Sequence, residues 1–167
     1  MPCVGLTLKI QGTAPSKSAG DLHLDEVMKS VVELNIDAPQ EKVAELFEDP
    51  WTFPSWMDDL ERIEPVSGSA MSRFRLVPKK GNLVFIARVV DAEPPHHARL
   101  ALDAPTVSVS VTGRFRKLSD HTTRLVSEEI FHFKGLLGHL FGWLGRGSIR
   151  RAHRRHMESF KRFAESQ

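Results

Sequence analysis

A chain of 167 residues, 41% hydrophobic and 26% charged, suits one domain that buries roughly two-thirds of its unfolded surface, with no need for a second. Its 23 basic and 21 acidic residues nearly cancel, so net charge makes no case for a nucleic-acid partner, and the single Cys3 excludes an internal disulfide or a cysteine metal cluster. Nothing resembles a secretory signal or a bilayer-spanning apolar run, which sets a cytoplasmic protein as the expectation, and the absence of tyrosine leaves acid–base chemistry to His, Glu, Asp or Lys.

Residues 1–25 read as an N-terminal extension, with a strand-like run from Val4 to Ile10 and linker composition from Gly12 to Gly20. The remainder, 26–167, reads as the folded domain. Alternation and β-branched residues predict a strand from Val27 to Ile36. Asp37, Pro39 and Gln40 then mark a helix N-terminus, and Val43, Leu46 and Phe47 supply its short apolar stripe. Asp49-Pro50 stops that helix, and Trp51, Phe53, Trp56, Met57 and Leu60 predict a second short helical segment with Pro54 near its entry.

Six further strands are predicted near Arg62–Ser67, Ser72–Pro78, Leu83–Ala92, Ala98–Asp103, Val107–Leu118 and Thr122–Lys134. Turn signals at Gly68, Lys80-Gly81-Asn82, Pro94-Pro95, Ala104-Pro105 and Ser119-Asp120-His121 are spaced as in a meander. Val107, Val109 and Val111 alternate with Ser108, Ser110 and Thr112, which turns the valines to the core; Phe74 and Leu76 alternate with Arg73 and Arg75 in the same sense. The Leu83–Val90 run is apolar on both parities, as a central strand would be.

After Gly135, the glycines at 145 and 147 are expected to split the last helix into an apolar turn or two and a longer regular helix. On that helix Ile149, Ala152, His153, His156, Met157, Phe160, Phe163 and Ala164 share one face. Arg150, Arg151, Arg154, Arg155, Glu158, Lys161 and Arg162 share the other.

The order of strand, two short helices, strand series and long helix carries the motifs Pro39-x-x-x-Val43-x-x-Leu46-Phe47-x-Asp49-Pro50 and Pro54-x-Trp56. With the Thr123-Arg124 start, acidic and aromatic residues and Gly135-Leu-Leu exit of the last strand, it resembles the START-related, polyketide cyclase-like (SRPBCC) superfamily over roughly residues 27 to 165. The resemblance implies an α+β helix-grip fold, a curved antiparallel sheet wrapped around the C-terminal helix. It also implies a cavity between them that binds an apolar small molecule, with the short helices and Trp51, Phe53 and Trp56 as a lid.

The expected lining from the sheet and lid side is Trp56, Phe74, Leu76, Phe85, Val107, Val109, Val111, Glu129 and Phe131. From the helix it is Ile149, His153, His156, Met157 and Phe160. Adjacent Glu128 and Glu129 point to opposite faces of a strand. If Leu125, Ser127, Glu129, Phe131 and Phe133 face inward, Glu129 becomes a buried carboxyl, neutral or paired with Arg73, Arg75, Arg88 or a histidine; the opposite register buries Ile130 instead.

His153 and His156 read either as polar anchors of a ligand or as edge residues bonded to backbone or water. They lack a third metal ligand, so no metal and no cofactor is expected. His96 and His97 on a turn are assigned no site, and no nucleophile elbow or phosphate-cradling loop is present. The function expected is binding of a lipid, isoprenoid quinone or polyketide in a cavity of roughly 300 Å³ or more. A cyclase, aromatase or dehydratase using Glu129 or His153 is the alternative. A third reading takes the basic helix face as a contact for a ribosome or a peripheral membrane surface, with a monomer or homodimer equally compatible.

Overall fold

The computed structural model describes residues 27–66 and 73–167, the side chains of 136–144 excepted. The extension with its Val4–Ile10 strand, Cys3, the Gly68 turn, the strand ends at Ser67 and Ser72, and the apolar side chains of Leu136–Leu144 lie outside the described residues.

The chain runs β1 (Val27–Ile36), α1 (Gln40–Glu48), a 3₁₀ turn (Pro50–Thr52), α2 (Phe53–Trp56), β2 (Leu60–Pro65), β3 (Arg73–Pro78), β4 (Phe85–Glu93), β5 (His97–Asp103), β6 (Val107–Ser119), β7 (Thr122–Phe133) and α3 (Gly135–Glu165). The seven strands form one antiparallel sheet in the order β1-β7-β6-β5-β4-β3-β2. Alternation sets its two faces. Val107, Val109, Val111, Phe74 and Leu76 are buried, whereas Arg73 and Arg75 are exposed.

The buried face packs against α3, which turns Met157, Phe160 and Ala164 inward. Met157 and Phe160 each contribute about 1.5–3 kcal/mol by leaving water. Phe160 is the meeting point of the layers: Phe47 of α1 and Trp56 of α2 pack edge-on against it at 5.4 and 5.1 Å between ring centres. Phe47 also meets Phe115 of β6 at 5.4 Å. Gly113 makes that approach feasible, since a Cβ there would lie 2.7 Å from Phe47 Cε1.

Four local expectations are corrected. Asp37 does not cap the helix it was expected to start: Pro39 precedes the first helical residue, and the Gln40 side chain donates to the carbonyls of Pro95 and Phe115, both at 3.0 Å. A buried amide satisfied twice wins over a solvent-exposed cap. The second helical segment is a 3₁₀ turn followed by the short α2, with Trp51 60% exposed and Leu60 already the start of β2.

The glycines at 145 and 147 do not divide the last helix, which is continuous over 31 residues. A helical glycine costs only about 1 kcal/mol relative to alanine, less than the packing of the α3 face returns. Finally, β4 is interior in the sheet order but is not buried on both faces. Among the described residues β3 pairs with Phe85–Arg88, and beyond the irregularity at Val89/Asp91 the strand pairs with β5 alone; Val89 and Val90 are exposed.

Candidate ligand cavity

A cavity of about 240 Å³ lies between α3 and the concave face. Its walls come from β3 (Leu76, Pro78), β4 (Phe85), β5 (Leu102), β6 (Val109), β7 (Glu129, Phe131) and α3 (Ile149, Ala152, His153, His156). Met57, Asp59, Leu60 and Leu83 complete it. A recess of about 50 Å³ adjoins it, bounded by Trp56, Val111 and Met157 among others, and Leu76, Leu102, Met57, Glu129 and His156 belong to both. The larger space falls short of the expected cavity of roughly 300 Å³, and only together with the recess does it approach that size.

Of the expected lining, Leu76, Phe85, Val109, Glu129, Phe131, Ile149, His153 and His156 face the main cavity, and Trp56, Val111 and Met157 face the recess. Phe74, Val107 and Phe160 bound neither space and are buried core; Phe74 packs edge-on to Phe53, and Phe160 is fully enclosed by the aromatic cluster. Met57, Asp59, Leu60, Pro78, Leu83, Leu102 and Ala152 are further wall residues. Of the lid candidates, Trp51 faces solvent, Phe53 is buried and bounds the recess, and Trp56 is held by its indole N–H donating to Thr52 Oγ1 at 3.2 Å.

The inward register of β7 is Leu125, Ser127, Glu129, Phe131 and Phe133. Ser30 of β1 stands directly opposite Glu129 in the sheet. His153 descends from α3 onto this pair. Its Nδ1 lies 2.8 Å from Ser30 Oγ and its Nε2 3.0 Å from Ser127 Oγ, so both ring nitrogens have hydroxyl partners. A hydroxyl both donates and accepts, so this pairing satisfies a neutral imidazole in either tautomer. Burial pushes the His153 pKa down to about 4, which keeps the ring neutral.

Glu129 Oε2 is 3.8 Å from His153 Nδ1, and burial raises its carboxyl to about 7. None of Arg73, Arg75 or Arg88 pairs with it. The inward serine opposite Glu129, Ser30, was the feature sequence reasoning missed, although it stands on the same parity as Met28 and Val32.

His156, one turn further on, places Nε2 2.9 Å from Asp59 Oδ1, in ion-pair range but without the alignment of a hydrogen bond. The close approach and charge of His156 hold the Asp59 carboxyl below its usual range. On the outer side of α3, Arg150, Arg151, Arg154, Arg155, Glu158 and Arg162 are exposed. His97 lies 3.0 Å from Asp91 at the β4–β5 end, remote from the cavity. Among the described residues no group of three or more His, Cys, Asp or Glu is arranged to hold a metal, and no helix is long and apolar enough to cross a membrane.

A curved antiparallel sheet gripping one long helix, with short helices after the first strand and a cavity at the seam, defines a START-type helix-grip protein. The chain belongs to the family described as polyketide cyclase / dehydrase and lipid transport, which matches residues 28–165.

Solved structures with the same fold include the ZhuI aromatase/cyclase from Streptomyces sp. R1128, at TM-score 0.64 and 16% identity, covering 84% of this chain and 94% of that one. A conserved protein from Geobacillus kaustophilus aligns at TM-score 0.69 and 13% identity over 83% and 96% of the two chains. A START superfamily protein from Mycobacterium smegmatis aligns at 0.60 and 13% over 83% and 94%. At such identities the likeness is one of fold. No curated protein sequence matches the chain.

Proposed function

We propose that the protein binds a hydrophobic small molecule, such as a lipid, an isoprenoid quinone or an aromatic polyketide, in the space between α3 and the sheet. The observation that carries this reading is the cavity of about 240 Å³ whose walls are mainly aliphatic and aromatic, with Glu129 and His156 as inward polar groups where it joins the smaller recess. Few placed polar groups in an apolar surround orient a ligand without binding it through charge alone. The family's description is compatible with it.

Leu102 belongs to both spaces, so Leu102→Trp fills the junction. Native mass spectrometry of protein purified from its own host, followed by denaturing extraction, is expected to find a stoichiometric apolar compound that the variant lacks. An empty wild-type protein that also shows no thermal shift with lipids, quinones or polyphenols overturns the reading.

A second reading, cyclase or dehydratase chemistry, is favoured by one feature: a cavity-facing carboxyl that titrates near neutrality suits a general acid or base. Glu129 carries that role in preference to His153, whose nitrogens are both engaged by serines. Glu129→Gln is expected to abolish turnover and leave ligand affinity intact if this reading holds.

A further inference from the structure

We infer that the cavity selects hydrophobic ligands ending in an amine and discriminates against those ending in a carboxylate. The inference rests on the ligand-binding reading above and goes beyond it by assigning the ligand's polar end.

Its basis is the charge inventory of the walls. Among the described residues, the lining holds two carboxyl groups, Glu129 and Asp59, and no lysine or arginine. Asp59 stands 2.9 Å from His156 at the rim and has a partner of its own. Glu129 has none of that kind: the ring 3.8 Å away is a histidine whose two nitrogens already bond to Ser30 and Ser127. The arginines of the domain lie on the outer surfaces of the sheet and helix; Arg73, Arg75, Arg88, Arg150 and Arg154 are exposed. Among the described residues, the carboxyl of Glu129 therefore faces an apolar space with no lysine or arginine opposite; the charge of His156 acts on it, but that ring stands against Asp59.

Three ligand ends meet this site differently. A carboxylate would bring a like charge into a poorly screened space and must take up a proton first. An alcohol or ketone can accept a hydrogen bond from the protonated Glu129. An ammonium group supplies the missing cation: Glu129 releases its proton to solvent and the ammonium N–H donates to the resulting carboxylate, a charge-assisted bond stronger than a neutral one. Charge balances, since one cation enters and one proton leaves.

Among the described residues, the other titratable groups facing Glu129 are His153 and His156 from α3, and Asp59 from the segment between α2 and β2. The walls from β3, β4, β5 and β6 contribute Leu76, Phe85, Leu102, Val109 and Val111, which do not titrate. With the Glu129 carboxyl near 7, proton release on amine binding approaches one per ligand at about pH 6 and vanishes near about pH 8.

The test is isothermal calorimetry with octylamine, octanol and octanoate, three ligands with one tail, each in two buffers of different protonation enthalpy. Octylamine is expected to bind about tenfold tighter than octanol, octanoate more weakly than either, and the amine alone to release a proton. Glu129→Gln, close to isosteric, should erase the amine preference and the proton release while octanol affinity persists. The wild-type series is decisive even if that variant folds poorly. Octanol and octanoate binding as tightly as octylamine overturns the selectivity and leaves the binding reading standing. Failure of all three to bind removes the binding reading, and this inference with it.

Discussion

His153 and Glu129 sit 3.8 Å apart and depart from their ordinary values in opposite directions. His153 falls from 6.5 to about 4, so the unfolded chain binds the extra proton between those limits, and stability drops as pH falls through that window. Glu129 rises from 4.5 to about 7, so the folded protein holds a proton that the unfolded chain has lost, and stability drops as pH rises through that window. Where the windows overlap the two slopes cancel. Urea denaturation is therefore expected to give a nearly flat contribution from this pair in the wild type. Glu129→Gln should make stability climb from about pH 4 to 6.5, and His153→Gln should make it decline from about pH 4.5 to 7. Parallel slopes in both variants would contradict the assignment.

The serines that hold the ring are open to the same method. Ser127→Ala or Ser30→Ala leaves one nitrogen of a buried imidazole without a partner and should cost about 1–3 kcal/mol, more than a surface serine. Strand alternation left two registers for Glu129, inward or outward, and the structure takes the inward one. The pairing of Ser30 with His153 and of Asp59 with His156 was not legible in the sequence, because each joins elements distant in sequence, and periodicity reports on one element at a time.

Two kinds of glycine separate at the level of elements. Gly113 on β6 leaves room for the Phe47 ring, and Gly113→Ala would set a Cβ 2.7 Å from Cε1 with Phe115 also close, so α1 must lift or the rings must turn. The expected loss is about 1–3 kcal/mol. Gly147 on α3 is the reverse case: a Cβ there meets only the end of the Arg151 side chain at 3.6 Å. Gly147→Ala should stabilise by about 0.5–1 kcal/mol by reducing the freedom of the unfolded chain. Thermal melts that shift in the same direction for both variants would contradict this account.

The continuity of α3 explains why glycine was read too strongly as punctuation. Local propensity is worth about one kcal/mol per residue, whereas the inner face anchors Met157, Phe160 and Ala164 in the core. The expectation for β4 failed for the converse reason. An apolar run does not by itself set burial: among the described residues only β5 pairs with the outer half of β4, where Val89 and Val90 are exposed.

Across the whole molecule, protection should follow layering. β7 lies between β1 and β6 and is covered by α3, while among the described residues the Val89–Glu93 end of β4 pairs with β5 alone. Native-state hydrogen exchange is expected to be slowest in the paired centres of β6 and β7 and fastest at the β4–β5 tip. Equal protection at the tip and in β7 would show that something covers the projection. The architecture itself was legible, because alternating strands with turn signals between them and one amphipathic helix allow few arrangements. The cavity's boundary was less so: Phe74, Val107 and Phe160 have the same inward parity as true wall residues, and depth along the seam alone distinguishes them.

The Ser30–His153–Ser127 lock has a consequence for how such a molecule can change over evolutionary time. It joins helix to sheet through groups that are neutral and mutually satisfied, and it draws nothing from the ligand. Side chains such as Leu102, Phe85 and Val109 are thereby free to be exchanged for others, one at a time, without loosening the seam. A lineage built on this plan can acquire a new appetite while its frame stays as it was.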